Sequence, residues 1–354
     1  MNIRTKILTV AALLAVWSCA EKEITPTAPD GSKPIEFGSL STRTLVDGIE
    51  DVKEFGVSCA ISNADNSDYG SIMDNVKVER STTSSTGWDY NPKRYWLEDS
   101  YFYFAASYPY VDGGGFQAQE ISDESGVKYI AYTLAVETYD ETTKNQLGVD
   151  ILTASEYVNT CDPWNNTVNL NFRHLLTNVN FEITQDMESD PQNHYYITGV
   201  SLYGISTSGT YAMILDHEQI YDIWNLQEVN NDISFDRIFD NHLLEANRAL
   251  SVWGDDGLLL LPQDIIREKV KLKIDYLYQL EVTDDGQENQ SGSDQEAIKQ
   301  ARSEIIDLPA TDKWKSGNKV KYTLSFAKPT KIVFKDITVK KWGTAPSGGT
   351  IIIK

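Results

Sequence analysis

Short segments in which apolar and polar residues alternate recur along most of the chain. Val179, Phe181 and Ile183, for example, alternate with polar residues, and clusters of Gly, Asn, Asp and Ser separate such segments from one another. A period of two places every second side chain on the same face of a strand. The pattern is typical of half-buried β-strands, and it predicts an all-β protein.

Other segments extend this prediction over both halves of the chain. The same alternation is found for Val168, Leu170 and Phe172, for Val270, Leu272, Ile274 and Tyr276, and for Val320, Tyr322, Leu324 and Phe326. The run YFYFAA at 101–106 is apolar on both faces, which predicts a central strand of a sandwich. The run LLLLP at 258–262 indicates a buried strand that ends at a proline.

One segment has the period of a helix. In DQEAIKQARSEII, at 294–306, the spacing brings Ala297, Ile298, Ala301 and Ile305 onto one side of a helix. We therefore expect one short helix in an otherwise all-β chain.

The length of 354 residues is consistent with two domains. Strands are dense on both sides of residue 165, so the pattern predicts a sandwich over 35–165 and a second over 166–354. Residues 19–34 carry three prolines and no apolar period, which indicates a tether.

The N-terminus has the features of a secretory signal. Arg4 and Lys6 precede an apolar run that ends at Trp17. This run is shorter than the roughly 20 residues that span a bilayer. The residues VWSC, ending in Cys19, resemble the lipobox of bacterial lipoproteins, which implies cleavage before Cys19 and acylation of its thiol. The following acidic pair, Glu21 and Glu23, resembles a signal for export to the outer surface.

Composition excludes one class of partner. The formal net charge is -21, and removal of residues 1–18 leaves 29 basic against 52 acidic residues. Such a charge repels nucleic acid and anionic lipid surfaces. We therefore expect no nucleic-acid partner.

The sequence carries no recognisable catalytic or metal-binding motif. Nucleophile-elbow, zinc-protease, phosphate-loop and dinucleotide-binding patterns are absent, so we expect no enzyme, no cofactor and no metal. Cys59 and Cys161 either form a disulfide or are separate buried thiols. His174 is expected to be structural, at a strand edge or turn. The eight Trp and nineteen Tyr fill cores or, alternatively, bind carbohydrate by stacking.

Several blocks, taken in order, resemble the fimbrillin family, the Mfa-like subunits and anchors of type V pili. The blocks are PIEFGSLSTRT (34–44), RYWLEDSYFYFAASYPY (94–110), DILTAS (150–155), VNLNFRHLLTNVNFEI (168–183), LLLLPQ (258–263), WKSGNKVKYTLSF (314–326) and ITVKKWGTAPSGG (337–349). The resemblance implies two transthyretin-like β-sandwich domains, export as an outer-membrane lipoprotein, and assembly with other fimbrial subunits at the cell surface. In such subunits a trypsin-like protease cuts after an arginine and removes the lipidated segment with its first strand. A C-terminal strand of a neighbouring subunit then fills the open groove.

The residues of this chain fit that scheme at two places. Arg43 lies among small polar residues, so cleavage there would release Thr44 as the new N-terminus and remove Ile35 and Phe37 from a core. The tail TIIIK, at 350–354, offers a donor strand in which Ile351 and Ile353 share one face and Ile352 lies on the other. Alternatively, Arg43 is an ordinary surface arginine and the tail is the last strand of its own domain.

The function expected from these features is that of a structural fimbrial subunit that is polymerised by strand donation. The alternative is a surface glycan-binding lipoprotein or a tip adhesin, with a host or bacterial surface glycan or protein as its partner. A secreted hydrolase has only the abundance of carboxylates in its favour.

Overall fold

The computed structural model of the protein describes strands and their connections over most of the chain. The described residues are 33–38, 52–63, 69–124, 126–160, 167–185, 193–216, 219–245, 248–280, 299–328, 331–342 and 351–352. Every helix or strand in these ranges is a β-strand, which confirms the all-β prediction. Within the same ranges, no helix is long and apolar enough to cross a membrane.

Twenty-four strands follow one another along the described chain. They are β1 (Glu36–Phe37), β2 (Glu54–Asn63), β3 (Tyr69–Arg80), β4 (Trp88–Asp89), β5 (Ser100–Tyr108), β6 (Gln117–Ser122), β7 (Lys128–Glu137), β8 (Tyr139–Asp140), β9 (Asn145–Gln146), β10 (Leu152–Asn159), β11 (Thr167–Val168), β12 (Arg173–His174), β13 (Thr177–Gln185), β14 (Asn193–Tyr203), β15 (Ser208–Asp216), β16 (Gln219–Leu226), β17 (Ser234–Leu243), β18 (Leu250–Ser251), β19 (Leu258–Leu260), β20 (Lys271–Leu280), β21 (Lys299–Asp307), β22 (Asn318–Lys328), β23 (Lys331–Lys341) and β24 (Ile351–Ile352).

The first sheet has six strands in the order β12-β10-β5-β2-β3-β4. Its strand β5 lies between β10 and β2, which confirms the central position predicted for YFYFAA. Phe102 and Phe104 point into a core on one face, and Tyr103 and Ala105 point into a core on the other. Successive side chains of a strand point to opposite faces, and because the residues on both faces are apolar here, the strand is buried on both sides.

The two faces of the first sheet are covered differently. One face packs against extended segments that include the parallel pair β1-β11, and together they enclose the first core. The other face packs against a four-stranded sheet, β16-β15-β7-β6, with Tyr132 and Met213 buried between them. The first core is therefore covered partly by short segments that form few backbone hydrogen bonds with neighbouring strands.

The second core lies between two further sheets. One has the order β18-β13-β22-β23-β24, with β19 also paired to β13, and the other has the order β17-β14-β20-β21. The buried side chains are the alternating ones that the sequence predicts, namely Val270 just before β20, Leu272 to Tyr276 on β20, and Val320 to Phe326 on β22. β13 and β22 run parallel, whereas the other pairs in these two sheets are antiparallel.

Strands from opposite sides of residue 165, the predicted domain boundary, pair with each other. Phe37 on β1 pairs with Val168 on β11, and Leu170 and Phe172 also belong to the first core. Farther along the chain, β15 pairs with β7 from Ser208 to Leu215. The division at 165 stays a prediction, and the segments 167–172 and 208–226 contribute to sheets of the first half.

The predicted helix at 294–306 is wrong for the part that the structure describes. Residues from Lys299 onward form the edge strand β21, which pairs with β20. The helical period placed Ile305 inside, but Ile305 is 58% exposed, whereas Ile306 packs against the second core. Pairing with a neighbouring strand outweighs the helix propensity of this segment, because tertiary context overrides local preference.

Candidate functional site

Residues 33–38, here called the first-strand segment, lie in a groove between two other parts of the chain. On one side, the Ile35 N–H donates to the Arg94 carbonyl (2.9 Å), and the Trp96 N–H donates to the Lys33 carbonyl (3.1 Å). On the other side, the segment pairs with β11, and the Gly38 N–H donates to the Val168 carbonyl (2.8 Å). We call this channel the first-strand groove.

Two side chains of the segment close the first core. Ile35 is fully buried, and Phe37 is 2% exposed. The ring of Phe37 makes edge-to-face contacts with Tyr90 (5.5 Å between centroids), Phe55 (6.1 Å) and Phe104 (6.3 Å). Because such contacts add to the burial of an aromatic ring, Phe37 anchors the segment.

A buried polar group shapes one wall of the groove. The Tyr90 hydroxyl donates to the Ile35 carbonyl (2.9 Å) and accepts from the Arg94 N–H (3.2 Å). Arg94 is itself buried, and its Nε donates to the Ile72 carbonyl (2.6 Å). Burial raises the pKa of Tyr90, so its phenol stays neutral and keeps the proton that it donates.

Several predicted site residues lie outside the described residues. These are Cys19, Arg43, Thr44 and Ile353. The first-strand segment nevertheless ends only five positions before Arg43. Lipidation at Cys19 and cleavage after Arg43 therefore stay predictions.

Part of the predicted donor strand is described. Ile351 and Ile352 form β24, which pairs antiparallel with Val339 and Thr338 of β23 at one edge of its sheet. This pairing corresponds to the alternative in which the tail is the last strand of its own sheet. The role of Ile351, Ile352 and Ile353 as a donor strand stays a prediction.

A ring stack holds the chain immediately before this tail. The Trp342 indole lies parallel to the His174 imidazole, with centroids 3.9 Å apart and an interplanar angle of 3°. The backbone N–H of Trp342 donates to the Gly317 carbonyl (2.8 Å), and His174 Nδ1 lies 2.8 Å from Asp150 Oδ2. His174 thus has the structural role that the sequence predicts, whereas its partner Trp342 has no separate sequence signal.

A second polar cluster joins β12 to the four-stranded sheet. Arg173 donates to both carboxylate oxygens of Asp222 (2.6 Å each), and the Tyr211 hydroxyl donates to the same carboxylate (2.5 Å). Burial raises the pKa of Tyr211. The three side chains hydrogen-bond one another, and they are too far apart in sequence for periodicity to reveal the cluster.

Metal-ligand residues, the cysteines and the buried tryptophans are further candidates for chemistry or binding. The described residues hold no group of three His, Cys, Asp or Glu side chains placed to bind a metal ion. Cys59 has a free and fully buried thiol, whose pKa is raised by that burial, and Cys161 lies outside the described residues. Trp88, Trp96 and Trp314 are buried in cores, which is the packing alternative for the aromatic residues.

The fold is similar to that of a solved fimbrial protein. A solved fimbrial protein from Bacteroides vulgatus superposes with a TM-score of 0.60 at 19% identity, over 88% of this chain and 100% of that chain. Putative cell adhesion proteins from Bacteroides uniformis and Bacteroides ovatus are each 17% identical, with TM-scores of 0.44. They cover 89% and 88% of this chain, and the matches span 100% and 98% of their own chains.

A family model described as fimbrillin-like matches residues 42–342. The chain therefore belongs to the fimbrillin-like family, which confirms the resemblance drawn from its sequence blocks. No curated protein matches the sequence.

Proposed function

We propose that the protein is a structural fimbrial subunit that assembles by exchanging extended strands. It is exported as a lipoprotein through Cys19, cut after Arg43 at the cell surface, and joined to other subunits from Thr44 onward. Its own donor strand is the segment that contains Ile351 to Ile353. In this role the protein catalyses no reaction, and the outer membrane is its partner only before cleavage.

The observation that carries this proposal is the position of the first-strand segment. Ile35 and Phe37 lie upstream of Arg43 in the sequence, yet both are buried in the first core. Cleavage after Arg43 would separate this segment covalently from the domain that it completes. Its departure would expose the Arg94 and Val168 carbonyls and an apolar channel, and such an open edge accepts another strand.

The mature N-terminus on cells tests the maturation step. Filaments are purified from the producing bacterium, and the chain is measured by intact-mass spectrometry. We expect Arg43→Ala to keep acylated Cys19 and to stay out of filaments. The control Arg248→Ala, a substitution at an exposed arginine, should mature like the parent chain. Filaments built from chains that start at acylated Cys19 would instead identify a membrane anchor.

A separate pair of variants tests the donor strand. The double substitution Ile351→Asp and Ile353→Asp places charge where a donor would enter apolar pockets. We expect such chains to mature but to remain monomeric. The control Ile238→Asp changes an isoleucine that is 84% exposed and should polymerise normally. Normal polymerisation of the double variant would exclude the tail as donor.

The alternative of a surface glycan-binding lipoprotein or tip adhesin has less support. The buried Trp88, Trp96 and Trp314 cannot stack on a sugar without unfolding their cores. Affinity gel electrophoresis with soluble polysaccharides distinguishes the two functions, because only a glycan-binding protein is retarded.

A further inference from the structure

We infer that the first-strand groove is built for a donor segment with an aliphatic residue followed two positions later by an aromatic residue, supplied by a different subunit rather than by a second copy of this chain. This inference rests on the proposed function, in which a strand from a neighbour replaces residues 33–38. The inference identifies the donor segment by the two side chains that fit the groove.

The pocket that Phe37 occupies is an aromatic one. Its walls are the rings of Tyr90, Phe55 and Phe104, at centroid distances of 5.5, 6.1 and 6.3 Å. All three wall residues are buried. An edge-to-face arrangement on three sides is matched by another planar ring and is not matched by a branched aliphatic side chain.

The walls of this pocket are held in place from behind. Phe55 packs edge-to-face on Trp88 (5.0 Å between centroids), and Phe104 packs in the same way on Trp96 (5.9 Å). Tyr90 is fixed through its hydroxyl, which accepts from the Arg94 N–H. Because every wall has its own support, the pocket cannot collapse fully onto a smaller side chain, and a cavity would remain.

The spacing of the two pockets follows from the strand geometry. Ile35 and Phe37 point into the core, whereas Glu36 between them is partly exposed. The backbone contacts at Ile35 and Gly38 fix the register of any segment that reuses them. A donor therefore needs its aliphatic and aromatic residues at positions i and i+2, and the residue between them is unconstrained.

The C-terminal segment, which we propose as this chain's own donor strand, lacks an aromatic residue two positions after an aliphatic one. Residues 343–354 read GTAPSGGTIIIK and contain no aromatic residue. Trp342, just before them, is stacked on His174 and bonded to Gly317. In each register, these residues would place in the pocket of Phe37 either a side chain no larger than isoleucine or the charged side chain of Lys354.

The size of the mismatch can be stated as an affinity ratio. Burial of an isoleucine side chain is about as favourable as burial of a phenylalanine side chain, but isoleucine cannot make the three edge-to-face ring contacts. Each such contact contributes about a fourfold factor in affinity, so a donor with Ile at this position should bind about 50-fold more weakly. That ratio is sufficient to favour a different subunit over a second copy.

Peptide exchange on the soluble chain tests this inference. The chain of residues 20–354 receives a site for a sequence-specific protease within 39–43 and is cut there. The released segment is then displaced by an excess of labelled peptide, and binding is followed by fluorescence anisotropy. The peptides are residues 30–41, the same peptide with Phe37→Ile, the control with Glu36→Gln, and residues 343–354.

We expect the parent and Glu36→Gln peptides to bind equally, and the Phe37→Ile and 343–354 peptides to bind about 50-fold more weakly. Binding of the 343–354 peptide within threefold of the parent would overturn the inference and leave strand exchange intact. Failure of the parent peptide to enter a cut chain that stays folded would overturn strand exchange itself, and the inference with it.

A second measurement needs no exchange. In the uncut chain, the segment cannot leave the groove, so Phe37→Ile places the smaller side chain in the aromatic pocket. The lost ring contacts and the remaining cavity should lower the melting temperature. An unchanged melting temperature would show that the pocket adapts to isoleucine, and it would overturn the inference independently of any peptide.

Discussion

Replacement of Phe37 by alanine in the uncut chain measures how much the first-strand segment contributes to the first core. Phe37 is 2% exposed and has three aromatic neighbours. Truncation of a buried phenylalanine costs about 3–5 kcal/mol, because transfer free energy is lost and a cavity is left. The supported walls described above limit relaxation around the cavity, so the cost stays within this range. We expect a loss of about 4 kcal/mol.

Differential scanning calorimetry of residues 20–354 is a suitable assay. A loss of about 1 kcal/mol lowers the melting temperature of a domain of this size by roughly 2–4 °C, so Phe37→Ala should lower it by roughly 8–16 °C. The control Ile238→Ala removes methyl groups from a side chain that is 84% exposed, and it should change stability by less than about 0.5 kcal/mol.

The result that would refute this reasoning is equally specific. If Phe37→Ala melts within about 1 °C of the parent chain, the first-strand segment is not part of the cooperative core. Its removal by cleavage would then open no groove, and strand exchange at this site would lose its physical basis.

The remaining predictions concern the second core and the chain before the tail. Tyrosine ionises near pH 10 when unfolded, whereas burial raises the pKa of Tyr276 to about 12 and also raises the pKa of Tyr322. Their contribution to stability is therefore fully present below pH 10 and is lost as the pH rises above it, by about 1.4 kcal/mol per tyrosine at pH 11. Urea midpoints that stay constant from pH 9 to 11 would contradict this. Trp342→Ala removes the stack on His174, and it should cost about 1 kcal/mol and accelerate amide exchange along β23. Trp342→Phe should restore most of the protection, and equal exchange rates in all three chains would show that the stack stabilises nothing.

The strands were predictable because alternation is a local property. The buried faces of β13, β20 and β22 are those that the sequence indicates, since each strand has polar residues on its other face. The segment around Ile305 misled the same reasoning. Its spacing fits a helix, and only the neighbouring strand β20, which the local pattern does not contain, determines that it extends.

The candidate site was predictable on one side only. The burial of Ile35 and Phe37 follows from their spacing, but the groove that receives them is built from Arg94 to Trp96 and from Thr167 to Val168. These parts of the chain are brought together by the fold and not by any repeat or motif. Tyr90, which bonds both Ile35 and Arg94, has no signal in a single sequence.

The parallel pairing of β13 with β22 determines when, during folding, the second core can be completed. Thr184 and Leu324, which lie on these neighbouring strands, are 140 positions apart. Contacts this distant form slowly, because a long loop must close before they contribute. In a chain that emerges N-terminus first, the second core therefore stays incomplete until β22 is available. During the export proposed above, this delay would keep the chain unfolded enough to be translocated, and exposed apolar strands would need a chaperone until the last strands arrive.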